Sequence, residues 1–207
     1  AERAKLIEGL KSDEKSASAI AARVQNVLTY GKEHYNGEFT SEETLKNVTL
    51  QDVINHYNTY FVPSNAYLVV IGDVKTADVK KKVEELFGAD VWKKATAPNL
   101  TYNDPKDLQY SQINFVDVPN AVQSEIALIN LSKLKMNDKD YFAAILANQI
   151  LGGGGEGRLF LNLREKHGWT YGSYSNLGAS KYISKFSSTA SVRNAVTDSA
   201  VVEIFNK

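Results

Sequence analysis

The sequence contains no cysteine, so disulfides, thiolate nucleophiles and cysteine metal ligands are all excluded. Lys plus Arg equals Asp plus Glu, at 24 each, and the formal net charge is zero. Without an excess of positive charge, neither nucleic acid nor an anionic membrane surface is an expected partner. The longest apolar run, Ala66–Ile71, is far too short to span a bilayer. What remains is a globular protein of ordinary composition.

Histidine is scarce, and only His34, His56 and His167 are available as zinc ligands. A zinc site usually takes two of its ligands from one helical turn, and no two of these histidines are that close. The inverted zinc motif His-x-x-Glu-His is absent, and so is a Gly-x-Ser-x-Gly nucleophile elbow. A Ser-His-Asp triad is defined by geometry and therefore stays open. We expect the three histidines to be surface or loop residues.

Hydrophobic periodicity predicts an α+β protein. Apolar positions every three or four residues indicate helices, and short apolar runs bounded by Gly, Pro or Asn indicate strands. Helices are predicted at 2–30 (one long or one broken helix), 50–61, 77–87, 138–150, 158–167 and from about 198. Strands are predicted at 66–71, 111–118, 121–131, from 171 and at 182–192, the first of them a buried central strand.

Several helix starts are predicted from side chains that cap the backbone. Thr40 with Glu43 and Thr49 with Asp52 fit the capping-box spacing. Asn137 is the expected cap of the helix that follows it.

Residues 89–108 are the expected linker, since this stretch contains prolines and asparagines and has no clear period. We therefore expect a first domain at 1–88 and a second at 109–207. The order β-β-α-α-β-β-α in the second predicts helices on one face of a largely antiparallel sheet. Because the chain ends inside a predicted helix, we expect it to be part of a longer protein.

The stretch 148–175 contains the polar side chains on which a function is expected to depend. A helix ending near His167, with Gly168 as its left-handed C′ residue, holds Arg164 in its last turn. Tyr171 then lies just inside the following strand. Two hydrogen-bonding side chains are therefore expected around one corner.

The glycines of this stretch are expected to free the backbone for left-handed or tightly bent conformations. Gly152, Gly154 and Gly157 also match Gly-x-Gly-x-x-Gly, the dinucleotide-binding fingerprint. That fingerprint must follow a strand, whereas a helix precedes it here. Nucleotide binding is therefore only a remote alternative.

The run LGGGGEGRLFLNLREKHGWTYGSYS at 151–175 resembles the second domain of the M16 zinc metallopeptidases, the family of pitrilysin, insulin-degrading enzyme and mitochondrial processing peptidase. The run TSEETLKNVTLQDVINHYNTYFVPSNAYLVVIGDV at 40–74 is similar to the segment that closes the first domain of that family. The pieces come in the family's order and cover nearly the whole chain. The resemblance implies a two-layer sandwich, as in the LuxS/MPP-like metallohydrolase fold.

The resemblance also implies where the metal lies. The family's first domain binds zinc through His-x-x-Glu-His and a glutamate farther along, and this chain begins after the motif. Glu8 matches that later glutamate best and is the expected third ligand. Zinc is expected in the full-length protein, with none held by this chain alone.

By the same resemblance, Arg164 and Tyr171 match the arginine and tyrosine that the second domain contributes to the active site. Their implied role is to bind substrate carbonyls and the oxyanion that develops on them. Gly153, Gly154 and Gly155 are expected to line the bound substrate.

The expected function is therefore that of part of an M16-type peptidase, contributing substrate and transition-state binding. The alternative is a catalytically inactive M16-like partner or structural subunit. The expected partners are a peptide or small protein as substrate, and a His-x-x-Glu-His region supplied in cis upstream or in trans by a second M16 subunit.

Overall fold

The computed structural model describes residues 2–88, 92 and 95–207. It contains a three-stranded antiparallel sheet of β1 (Gln123–Ser132), β2 (Thr170–Leu177) and β3 (Ser184–Arg193), in the order β1-β3-β2. Helices accompany this sheet, so the predicted α+β class is confirmed. The chain divides into two compact units. Unit 1 runs up to Thr40 and resumes from Asn103 to Lys207, and unit 2 is Ser41–Tyr102.

Helices make up most of the regular structure. Unit 1 contains α1 (Glu2–Asp13), α2 (Ala17–Tyr30), α6 (Tyr141–Gly152), α7 (Arg158–Phe160) and α8 (Thr197–Phe205). A π-helix at Leu161–Lys166, here called the π-turn, continues α7. Unit 2 contains α3 (Glu42–Asn47), α4 (Leu50–Tyr60) and α5 (Thr76–Phe87). The helix predicted at 2–30 is thus broken between α1 and α2. The predicted domain and linker boundaries remain predictions, and 89–91 and 93–94 lie outside the described residues.

The core of unit 1 lies between the sheet and the helical segment after the glycine loop. Its buried members are Leu159, Leu163, Ala190, Val192, Ala200 and Ile204. Leu163 and Val192 are completely buried. Burial of aliphatic side chains of this size stabilises a fold by about 1.5–3 kcal/mol each. The π-turn and β3 are therefore fixed against each other by packing.

Helix α2 packs against β1 in the same unit. Lys185 of β3 donates from Nζ to Oδ1 of Asn26 on α2, at 2.8 Å. Burial lowers the pKa of Lys185, because removal from water disfavours the charged amine.

Helix α4 of unit 2 begins with the predicted capping box. Thr49 Oγ1 accepts the Asp52 N–H, and Asp52 Oδ2 accepts both the backbone N–H and the hydroxyl of Thr49. These hydrogen bonds lower the pKa of Asp52.

The predicted start of α3 is wrong by one residue. Ser41, rather than Thr40, has the extended backbone of a cap, and its Oγ accepts the Thr44 N–H. The box is therefore closed by Thr44 and not by Glu43. Asn137 is likewise wrong as a cap, because the chain turns at 135–138 and α6 begins only at Tyr141.

Two predicted strands are absent from the described residues. The run Ala66–Ile71 is not a buried central strand, since Tyr67 is 97% and Ile71 92% exposed. Residues 111–118 also form no strand, and Ile113 is 98% exposed. A strand needs a neighbour to satisfy its N–H and C=O groups, and no described residues pair with either run. The Pro119–Asn120 turn does form, with Asn120 at φ 62°.

Among the described residues, no helix has both the length and the apolar character needed to cross a membrane.

Candidate functional site

Arg164 lies in an irregular helical segment, because α7 passes directly into the π-turn. The backbone N–H of His167 donates to the carbonyl of Asn162, five residues earlier, at 3.1 Å. Gly168 then adopts φ 63° and donates to the Arg164 carbonyl at 2.9 Å, which confirms its predicted place just after the helix. π-helical turns are rare and occur often at functional sites.

The Arg164 side chain is exposed but has two neighbours. Its guanidinium carbon lies 4.8 Å from the centroid of the Phe160 ring. Its Nε lies 3.5 Å from Oε1 of Glu165, an exposed pair that adds little stability. The Phe160 ring contacts one side of the guanidinium, and because the side chain is exposed, its other N–H donors are accessible to a ligand.

Tyr171 lies in a β-bulge at the start of β2. Thr170 pairs with Val192 and Ser173 pairs with Ala190, so the two residues between them on β2 oppose a single residue of β3. Thr170 Oγ1 accepts the Gly172 N–H at 3.1 Å and donates to the Gly172 carbonyl at 2.8 Å. The bulge leaves Tyr171 87% exposed. Bulges are over-represented next to active sites because they redirect a side chain.

A shallow pocket of about 370 Å³ lies beside Tyr171. Most of its lining comes from the first half of β2, with one residue from the start of β1 and one from near the end of β3. The lining residues are Gln123, Thr170, Tyr171, Gly172, Tyr174 and Ser191.

Tyr174 connects this pocket to the arginine. Its ring centroid lies 5.8 Å from that of Phe160, which in turn lies under the Arg164 guanidinium. The exposed residues Arg164 and Tyr171 are therefore connected on unit 1 through the rings of Phe160 and Tyr174. We call this the Arg164–Tyr171 surface.

For the glycine loop, the left-handed part of the prediction is wrong. None of the glycines at 152–157 has a positive φ, so left-handed backbone is not the reason for them. A Cβ on Gly152 would lie 2.5 Å from the Ser175 nitrogen, and one on Gly157 would lie 2.8 Å from Cα of Gly152. These two glycines are required by close packing.

The three glycines between them differ among themselves. A Cβ on Gly153 would collide with Gln149 of α6. A Cβ on Gly154 or Gly155 would meet only ordinary contacts, the latter 3.8 Å from the Phe160 ring. The fold therefore does not require glycine at these two positions, and Gly155 lies next to the Arg164–Tyr171 surface.

Helix α6 is joined to β2 just before this loop. Asn148 donates from Nδ2 to the Ser175 carbonyl at 3.3 Å, and Ser175 donates from Oγ to the Asn148 carbonyl at 3.4 Å. Together with the close approach at Gly152, these bonds fix the start of the loop relative to the strand that carries Tyr171.

The described residues do not fit a zinc site. They contain no group of three or more His, Cys, Asp or Glu side chains that could hold a metal ion. Glu8 is exposed on α1, and its Oε1 lies 3.6 Å from Nζ of Lys11. Its place as a third zinc ligand stays a prediction. His34 lies in the loop between α2 and α3, as expected, and is buried there, where its Nδ1 accepts the Asn36 N–H.

The sequence interpretation missed Phe160, Tyr174 and Thr170. The signal for Phe160 was available, since an aromatic residue four positions before an arginine lies on the same helical face. No comparable signal marked the bulge, because the pairing of β2 with β3 is not visible in the spacing of Thr170 and Gly172.

Residues 47–207 match the family model described as the peptidase M16 inactive domain. The chain is 22% identical over 161 residues to the probable inactive metalloprotease YmfF of Bacillus subtilis (strain 168), which covers 78% of this chain and 36% of that protein.

Solved structures give the same fold. A peptidase M16 inactive domain from Pseudomonas fluorescens superposes with a TM-score of 0.80 at 22% identity, covering 99% of this chain and 49% of that one. A protease from Helicobacter pylori superposes with a TM-score of 0.78 at 20% identity, covering 97% of this chain and 50% of that one. The chain thus spans about a third of the curated relative and about half of these two structures.

Proposed function

Since this chain belongs to the family of the peptidase M16 inactive domain, we propose that it is the catalytically silent, peptide-binding part of an M16-type protein. In this proposal it binds extended peptides through the Arg164–Tyr171 surface. Zinc and peptide hydrolysis, where the complete protein has them, come from a His-x-x-Glu-His region in cis or from a second M16 subunit in trans.

The proposal rests on two backbone irregularities, the π-turn and the β-bulge, each of which carries one of the two side chains. The π-turn presents Arg164, and the β-bulge presents Tyr171, on one connected surface. A peptide offers carbonyl oxygens as acceptors, and the guanidinium and phenol offer N–H and O–H donors. Both side chains are exposed, and the pairing of Arg164 with Glu165 is a weak, exposed one.

The glycine loop supports the same proposal. Gly154 and Gly155 are not required by backbone conformation or by packing. A side chain on Gly155 would lie next to the Phe160 ring, and one on Gly154 would lie next to Gln149. Glycine at both positions therefore suits close approach of a peptide backbone, whereas Gly152, Gly153 and Gly157 serve the packing of the loop itself.

The curated relative is itself named a probable inactive metalloprotease. The glycine loop follows helix α6 rather than a strand, which is not the context that a dinucleotide fingerprint requires.

A second candidate is the same surface acting within a working peptidase. The similar structure from Helicobacter pylori is that of a protease. In that case Arg164 and Tyr171 stabilise the oxyanion formed at a zinc centre that lies outside these residues. Finding His-x-x-Glu-His upstream in the same chain favours the working peptidase, and its absence favours the silent subunit.

The proposal is tested by three measurements on the chain. We expect fluorescence polarisation to detect binding of labelled, unstructured ten-residue peptides. We expect no cleavage of those peptides by mass spectrometry, and no stoichiometric zinc after dialysis. Absence of peptide binding would refute the proposal, and cleavage with bound zinc would replace it with a complete peptidase.

A further inference from the structure

The pocket beside Tyr171 includes the face of the sheet that is turned away from the core. On β3, Ala190 and Val192 are buried in the core, so Ser191 between them lies on the opposite face. Residues directly opposite each other in an antiparallel pair share a face, and Ser191 is paired with Glu125 of β1. Glu125 therefore lies on the pocket's face of the sheet, next to the lining residue Ser191.

Glu125 is held in this place by a short hydrogen bond. The Ser191 hydroxyl donates to Oε2 of Glu125 at 2.6 Å. Gln123, two residues earlier on β1 and on the same face, lines the pocket as well. Glu125 is half-buried and forms no ion pair with any residue that the structure describes. Its carboxylate is therefore a negative charge at the edge of the pocket with only a neutral donor as partner.

The cations of the sheet do not neutralise this charge. The three strands contain two of them, Lys185 and Arg193, both on β3. Lys185 lies six residues along the strand from the partner of Glu125, about 20 Å away at the usual rise of a strand. Arg193 is a diagonal neighbour of Glu125, but it is exposed and forms no ion pair with that carboxylate. The Glu125 charge is thus accessible to a ligand.

Two aromatic rings add a second feature that favours a cation. Tyr171 and Tyr174 both line the pocket, and they are 87% and 45% exposed. The face of a tyrosine ring attracts a cation, and its apolar body can pack against an aliphatic stem. The volume of about 370 Å³ is near the lower end of the range for ligand sites, roughly 300–1,000 Å³. Such a pocket suits a single side chain.

We propose that this pocket binds a lysine or arginine side chain of the peptide, and that Glu125 determines this specificity. The inference rests on the proposed function, in which Arg164 and Tyr171 bind the peptide backbone. The aliphatic stem of the basic side chain packs against the tyrosine rings. Its ammonium or guanidinium group pairs with the Glu125 carboxylate, of which Oε2 stays bonded to the Ser191 hydroxyl.

Polarisation titrations with four matched peptides test the specificity. The labelled ten-residue peptides are identical except at one central position, which is lysine, arginine, norleucine or glutamate. Norleucine has the aliphatic stem of lysine without the charge. We expect the lysine and arginine peptides to bind about three- to tenfold more tightly than the norleucine peptide, the range of one ion pair with a cation–π contact. The glutamate peptide should bind most weakly.

The variant Glu125→Gln identifies the residue responsible. Glutamine keeps an oxygen that accepts the Ser191 hydroxyl, so the circular dichroism spectrum should stay that of the folded chain. We expect the ratio of lysine to norleucine affinity to fall to near one, because the lysine peptide binds more weakly. Glu33→Gln is the matched control, since it removes the same charge from an exposed loop. It should keep the wild-type ratio.

A free lysine derivative tests the pocket without the peptide backbone. We expect Nα-acetyl-lysine amide to shift the ring resonances of Tyr171 and Tyr174 saturably in nuclear magnetic resonance spectra. The norleucine derivative should not do so, and the shifts should disappear in Glu125→Gln.

The possible failures separate this inference from the proposed function. Equal binding of the lysine and norleucine peptides, or a lysine preference that persists in Glu125→Gln, would overturn the inference and leave peptide binding intact. If none of the peptides binds, the proposed function is refuted, and the lysine derivative decides about the pocket alone. Absence of ring shifts would then overturn the inference as well.

Discussion

The Arg164 guanidinium carbon lies 4.8 Å above the centre of the Phe160 ring, one helical turn earlier in the chain. The same ring lies 5.8 Å from that of Tyr174, on the strand that carries Tyr171. Phe160 is thus the point at which the helical and the strand halves of the surface meet. It is itself almost fully buried, so its position is fixed by the core rather than by solvent.

We expect Phe160→Leu to weaken peptide binding about two- to fivefold, because a cation–π contact at a partly exposed site contributes about 0.5–1 kcal/mol. Leucine keeps an apolar side chain in the core but offers no ring to the guanidinium. Polarisation titrations of the wild-type and variant chains measure the change. Leu161→Ala, an exposed neighbour outside the core, serves as control. Equal affinity for wild type and Phe160→Leu would show that the ring does not organise Arg164.

The glycine loop gives a prediction about stability. We expect Gly152→Ala to lower the free energy of unfolding by about 1–3 kcal/mol, the usual cost of overpacking, because its Cβ would lie 2.5 Å from the Ser175 nitrogen. Gly155→Ala should change it by less than about 0.5 kcal/mol, as at an unconstrained surface site. Urea unfolding followed by circular dichroism compares the two. Equal effects would contradict the different roles given to these glycines.

The hydroxyl of Thr170 gives a prediction about the bulge. Thr170→Val keeps the shape of the side chain and removes both hydrogen bonds to Gly172. We expect a loss of about 1–2 kcal/mol of stability, from net contributions near 1 kcal/mol per bond, together with weaker peptide binding. Thr189→Val on β3 is the control, because its hydroxyl makes no hydrogen bond in the described structure. A normal peptide affinity in Thr170→Val would mean that the bulge does not orient Tyr171.

Glu203 gives a prediction about acid stability. Its pKa is lowered in the fold, chiefly by the Asn162 hydrogen bond. A carboxylate with a lowered pKa stabilises the fold above its ordinary pKa of 4.5, and this contribution is lost as the pH falls through the lower folded value. Glu203→Gln should therefore reduce the acid sensitivity of the thermal midpoint below about pH 4.5.

The matched control for that measurement is Glu8→Gln, because this exposed carboxylate pairs with Lys11 and with no other cation among the described residues. It should keep the wild-type slope of midpoint against pH. A Glu203→Gln slope equal to that of wild type would contradict the account of the Asn162–Glu203 hydrogen bond.

Much of the fold could be predicted from local patterns. The 3.6-residue period found the helices, and the capping box at Thr49 and the turn at Gly168 were placed correctly because both depend on neighbouring residues. The run Ala66–Ile71 has the composition of a buried strand, but burial also needs a pairing partner, which a local pattern does not reveal.

The candidate site, like the fold, could be predicted only where it depends on local sequence. Arg164 and Tyr171 were singled out from the sequence, and their roles remain proposals. Their surroundings could not be predicted, because the π-turn is set by long-range packing of Leu163 against the sheet and the bulge by the register of β2 on β3. The glycine loop was also singled out from the sequence. Gly152 is needed there because the chain approaches β2 closely, and not because its backbone is left-handed.

The most direct test of the central claim is the peptide affinity of Arg164→Ala and Tyr171→Phe. A lost charge-assisted hydrogen bond costs about 1.5–3 kcal/mol and a neutral one about 0.5–1.5 kcal/mol. We therefore expect affinity to fall about ten- to a hundredfold in the first variant and about two- to tenfold in the second. Arg158→Ala, in the same helical segment, and Tyr110→Phe, at an exposed site, should bind as wild type does. Unchanged affinity in both Arg164→Ala and Tyr171→Phe would contradict the account.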